Sequence, residues 1–140
     1  MKLKPLCLVA AIALAGCSDG GGGSSSPPAT TAVSGGGVKG PLANAEVNAY
    51  ALDTSAADLR GALLGSGSTN AAAAITGLSI PAATTGPVLV EVTADGDTVD
   101  LTTGVAPVIT RMATVRDAAD IGANTYATPL TTMVVEVARL

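Results

Sequence analysis

Three carboxylates stand within six positions at Asp95, Asp97 and Asp100, and two thiols stand at Cys7 and Cys17. These residues have the types and spacing best suited to chemistry. A cluster of acids is a candidate site for a hard cation such as calcium, which takes six to eight oxygens. The glycine and glutamate spacing of an EF-hand loop is missing here, so Asp95, Asp97 and Asp100 are a weak metal candidate and no other metal site is expected. Asp95-Gly96-Asp97 also reads as a plain turn. Asp95/Asp97, Asp97/Asp100 and Asp117/Asp120 are paired acids, but general acid–base work needs two carboxyls held in a cleft. The chain has no histidine. It therefore lacks the usual general base and a common zinc ligand. Its serines fall in no Gly-x-Ser-x-Gly pattern, so no activated nucleophile is indicated. No catalytic residues and no enzyme activity are expected.

The thiols belong to a different pattern. Lys2 and Lys4 precede the apolar run Leu6-Cys7-Leu8-Val9-Ala10-Ala11-Ile12-Ala13-Leu14. Nine helical residues span roughly 14 Å, about half of a hydrocarbon core, so the run suits an export leader and is too short for a transmembrane helix. It closes in Leu14-Ala15-Gly16-Cys17, which resembles the lipobox of bacterial lipoproteins. The resemblance implies a signal peptide over 1–16, cleavage before Cys17, a diacylglycerol thioether on its sulfur and an acyl chain on its new amine. The covalent lipid would be the only cofactor-like group. Two or three acyl chains, at ~0.8 kcal/mol per buried methylene, exceed the marginal hold of a single chain. The expected partner is thus a membrane, reached through the anchor. Asp stands at position 19 and Ser at 18; in the family's sorting logic this favours the outer membrane within the cell envelope.

Cleavage would leave five basic residues against eleven acidic ones, a net charge of −6. That excludes the basic stripe of a nucleic-acid binder and offers no basic patch to anionic lipid. Cys17 would be the sole remaining cysteine, so no disulfide staples the exported domain. At 48% apolar and 13% charged the chain is too hydrophobic to be disordered throughout.

Residues 17–34 are rich in Gly, Ser, Pro and Thr and show no period, which predicts a disordered, lipidated tether with a reach of about 20–25 Å. From 35 to 126 the period is two. Ala45, Val47, Ala49 and Ala51 share one face of a strand, with Glu46, Asn48 and Tyr50 on the other. Val88, Val90 and Val92 alternate likewise over 87–94. Asp95-Gly96 then signals a hairpin into a short strand at 98–101. Further strands are expected at 74–80, closed by Pro81, and at 108–115. Short strands at this spacing indicate an all-β sandwich. Over 127–140 the pattern changes. Thr128-Pro129 is an N-cap followed by proline at the first helical position, and Leu130, Met133, Val134 and Val137 fall on one helical face. That stripe is expected to dock on the sandwich; the alternative is a surface for a partner. Tyr50 is the one aromatic candidate for stacking on a sugar, the alternative being a rim residue that covers a sheet edge.

The stretch Val38-Lys39-Gly40-Pro41-Leu42-Ala43-Asn44-Ala45-Glu46-Val47-Asn48-Ala49-Tyr50 resembles the opening of carboxypeptidase-regulatory-like modules. These are transthyretin-like (prealbumin-like), Ig-like β-sandwiches found in bacterial surface lipoproteins. Leu64-Gly65-Ser66-Gly67-Ser68-Thr69-Asn70, Gly86-Pro87-Val88-Leu89-Val90-Glu91-Val92 and Val99-Asp100-Leu101-Thr102-Thr103-Gly104 look like its later elements, and Thr128-Pro129-Leu130-Thr131-Thr132 looks like the start of a helical region in longer relatives. The likeness runs over roughly 38–132. It departs at Ala71-Ala72-Ala73-Ala74, where the module usually has a glycine and an aromatic. Relatives also continue beyond the helix, which fits a truncated version or a fragment. The function implied is that of a non-catalytic envelope lipoprotein presenting an Ig-like sandwich for structural or adhesive interaction. The alternative is the N-terminal binding module or fragment of a larger secreted or surface enzyme or adhesin.

Overall fold

The computed structural model describes residues 26–37, 40–122 and 124–140. The signal peptide 1–16, the lipobox Leu14-Ala15-Gly16-Cys17 and the tether to residue 25 lie outside the described residues, as do Val38 and Lys39.

The alternation over 45–52 and 87–94 produces the two central strands of the chain. In order, the strands are β1 (Thr30–Ala32), β2 (Gly35–Gly37), β3 (Leu42–Ala43), β4 (Glu46–Leu52), β5 (Arg60–Thr69), β6 (Ile75–Thr76), β7 (Ser79–Pro81), β8 (Pro87–Thr93), β9 (Val99–Asp100), β10 (Arg111–Asp117) and β11 (Thr125–Ala127); helix α1 (Pro129–Ala138) ends the chain. The fold is built mainly of strands with one C-terminal helix, as expected of an all-β domain. Strands β10, β8, β4, β5 and β6 hydrogen-bond in that order into one antiparallel sheet. Three two-stranded pieces accompany it: antiparallel β1–β7, parallel β2–β11 and antiparallel β3–β9.

Val47 and Ala49 of β4, Val88, Val90 and Val92 of β8, and Met112 of β10 point to one side of the sheet. There they form a single buried cluster with Leu42 and Ile80 from the smaller pieces and Leu78 and Ile121 from the segments between strands. Strand β8 is buried on its other side too, where Leu89 is fully covered. Within the core Thr69 is a polar tie. Its hydroxyl accepts from the Ala45 N–H (2.9 Å) and donates to the Leu42 carbonyl (2.6 Å), so two buried backbone groups are satisfied without water.

Four sequence expectations are corrected. The tether was expected to run to residue 34, yet Thr30–Ala32 is a strand paired with β7, and Val33 is buried with its N–H bonded to the Leu78 carbonyl at 2.9 Å. Its polar composition hides this because the ladder uses backbone groups, which every residue carries. The stretch 74–80 is two strands, broken at Gly77 (φ +72°), with β6 pairing to β5 and β7 to β1. Strand β10 lies at 111–117, three positions later than expected at its start, and Val108 is exposed. Asp95-Gly96 does turn the chain, but β8 pairs with β10 and the 98–101 segment leaves the sheet to pair with β3. The Thr98 hydroxyl directs this departure. Its one proton lies between two acceptors, the Asp95 carboxylate (2.9 Å) and the Asn44 carbonyl (3.2 Å), which ties the turn to the start of β4.

Candidate functional site

Helix α1 begins as its sequence signals indicate. The Thr128 side chain accepts from the Thr131 N–H at 3.1 Å, Thr131 returns the bond to the Thr128 N–H at 2.8 Å, and Pro129 occupies the first turn. The helix lies against β10, an edge strand of the large sheet. At Ala113 the strand turns its N–H and carbonyl away from β8. The Thr132 hydroxyl accepts from that N–H (2.9 Å) and the Thr131 hydroxyl donates to that carbonyl (2.7 Å). Two threonines thus close part of an edge that would otherwise be open to another strand.

The second attachment is ionic. Glu91 of β8 is only 2% exposed. Its carboxylate accepts from Arg60 of β5 (Nε, 2.8 Å), Arg111 of β10 (Nη1, 3.1 Å) and Arg139 at the C-cap of α1 (Nη2, 2.7 Å). Glu136 of the helix bonds both Arg139 (2.8 Å) and Arg111. The bond to Glu91 holds the Arg60 guanidinium above its ordinary value, and that guanidinium lies over the Tyr50 ring, 5.2 Å from its centroid. One face of the Tyr50 ring is therefore taken by Arg60. The cluster ties the helix to strands β8 and β10, and through Glu91 to Arg60 of β5.

With its polar side committed, α1 buries one apolar residue, Val135, at 4% exposure. The stripe expected to dock faces the opposite way. Leu130, Met133, Val134 and Val137 are between 64 and 72% exposed, and Leu140 beyond them is fully so. The reason lies in what the sheet presents beneath the helix: a strand edge and a buried carboxylate, which are matched by Thr131, Thr132 and Arg139. The bare stripe adjoins a groove of about 280 Å³ walled by Leu52, Leu59, Val115, Val134 and Ala138. This division of the helix is directly measurable. Val135→Ala should cost about 2 kcal/mol of unfolding free energy, whereas Met133→Ser and Val137→Ser should each fall within about 0.5 kcal/mol of wild type in urea titrations.

The acidic triad does not assemble. Among the described residues no three acidic, histidine or cysteine side chains converge on a point able to hold a metal. The carboxylates of Asp95 and Asp100 each serve a local turn instead. Asp95 accepts from the Asp97 N–H (3.0 Å) and the Thr98 hydroxyl, and Asp100 accepts from the Thr102 N–H (2.8 Å). The Asp97 N–H, then the Thr98 hydroxyl, hold the Asp95 carboxyl below the usual range. The Glu91 cluster was not anticipated. The signal for it was Leu89-Val90-Glu91-Val92, where an apolar residue on the polar face of the strand announces burial on both sides.

Comparison with known protein families, with curated proteins and with solved structures finds no match.

Proposed function

We propose that this protein is a non-catalytic lipoprotein of the bacterial cell envelope. In this reading it is moored by lipid on Cys17, with the outer membrane as its destination, and it holds an Ig-like β-sandwich away from the bilayer for structural or adhesive contacts. The observation that carries the reading is the order of three parts. A charged and apolar leader ends in Leu14-Ala15-Gly16-Cys17, a Gly/Ser/Pro-rich segment follows, and a strand-built domain comes last. The five-stranded sheet packed over a shared core supports the sandwich assignment, and the apolar outer face of α1 supports a role in contacts.

The anchor is tested by mass spectrometry of the full chain recovered from a bacterial envelope, and by fractionation of a Cys17→Ser variant. The native chain should begin at an acylated Cys17 and partition with membranes. The variant should carry no acyl mass and lose most of its membrane partition, since each lost chain removes many methylenes at ~0.8 kcal/mol apiece. An unmodified Cys17, or native protein found in the soluble fraction, overturns the proposal.

A further inference from the structure

We infer that the outer face of α1 is a self-association surface, on which the α1 of a second copy packs about a two-fold axis. The spacing on that face is that of a two-helix seam. Leu130, Met133, Val137 and Leu140 fall at i, i+3, i+7 and i+10, the a and d positions of a heptad, and Val134 flanks them. All five are exposed. Leu140 follows the last helical turn, with its N–H bonded to the Val137 carbonyl at 3.3 Å.

Three observations select a second copy as the occupant. First, the face carries no charge, because the only charged residues of the helix region, Glu136 and Arg139, are bonded into the cluster around Glu91. Two molecules that each bear a net negative charge meet here without opposing like charges, and a two-fold axis places the same apolar patch on both sides. Second, the face is preformed. The Thr131 and Thr132 bonds to Ala113 and the Arg139 bond to Glu91 fix the helix before any partner arrives, so little ordering opposes association. Third, the area fits a weak dimer. Five such side chains offer roughly 300–600 Å² per copy, less than the ~800 Å² per partner of a standard interface and in the range of weak, transient contacts, and the groove beside Val134 adds to it. A membrane is the poorer occupant. An interfacial helix carries lysines and arginines on its polar side for the headgroups, whereas Arg139 and Arg111 are held by Glu91 and Glu136.

The association does not depend on lipid at Cys17, and its test reads a different position. The full chain is produced in bacteria as Met133→Cys and, for comparison, as Asp97→Cys on an exposed turn outside the seam; intact cells are treated with a short bis-maleimide. Met133 sits near the middle of the seam and meets its own copy whichever way the helices run. A cross-linked product of twice the chain mass should form at position 133 in clear excess over position 97. Adding Leu130→Asp and Val137→Asp, both at exposed sites, should reduce that product about tenfold or more, since carboxylates would be buried without partners. No excess at position 133, as insertion into lipid would give, overturns the inference. So does a product whose mass includes another protein, or a yield indifferent to the aspartates.

Discussion

Glu91→Gln should lower the melting temperature by roughly 15–30 °C, the consequence of losing about 3–5 kcal/mol from a domain of this size. The side chain keeps its volume and loses its charge, so packing is nearly constant and electrostatics decides the outcome. Arg60, Arg111 and Arg139 would still converge on the position, and Arg139 is only 9% exposed. An amide offers them one acceptor and turns two donors of its own toward them. Removing one partner of a buried ionic group leaves the others desolvated and uncompensated, which costs far more than a surface pair is worth. The helix should feel the loss first, because Arg139 is its ionic tie to β8. Glu46→Gln is the matched comparison. Glu46 lies on the same side of the sheet but is exposed and bonds only Asn48, so that change should fall within about 0.5 kcal/mol. Thermal unfolding followed by circular dichroism separates the two. Equal melting temperatures would mean that the cluster does not hold the helix.

The parts of this fold that were legible in the sequence are those decided locally. The inward sets Val47/Ala49 and Val88/Val90/Val92 emerge from period-two alternation because one side of the large sheet faces the core. Helix α1 is announced by Thr128-Pro129, whose side chain and ring act within one turn. The parts that were not legible depend on distant partners. Asp95-Gly96 marks a turn, but a turn does not say which strand follows in the sheet, and here Arg111–Asp117 pairs where 98–101 was expected. Thr30–Ala32 has no strand signature and is ordered by β7. The same logic governs the candidate site. Helical periodicity identified the apolar stripe from Leu130 to Val137, yet which stripe turns inward was decided by the Ala113 edge and by Glu91. Those features reach the helix from 18 and 48 residues away in the chain.

Gly67→Ala distinguishes local preference from tertiary demand by its sign. Strand propensity alone favours the change, since glycine inside a strand costs roughly 0.5–1 kcal/mol relative to alanine. The structure requires the opposite. Gly65 and Gly67 stand on the inward side of β5, in register with Ala49 and Val47, and the 76–79 segment crosses directly over them. A Cβ at Gly67 would lie 2.6 Å from both the Leu78 nitrogen and the Thr76 carbonyl oxygen, and one at Gly65 would lie 2.1 Å from the Ser79 carbonyl oxygen. These are backbone atoms, so no side-chain rotation relieves the overlap. The crossing segment must lift instead. That strains the β5–β6 pairs Ser68↔Thr76 and Thr69↔Ile75 and loosens the packing of the buried side chains Leu78 and Ile80. Overpacking of 1–3 kcal/mol adds to partial loss of two large core contacts, a total of about 3–5 kcal/mol. Gly67→Ala should therefore melt at least about 10 °C below wild type. Ser68→Val, one residue on and facing outward at an exposed site, should be neutral or mildly stabilising, as a β-branched residue is on an open strand face. A Gly67→Ala variant that melts above wild type would show that the segment does not pass over β5 at this distance.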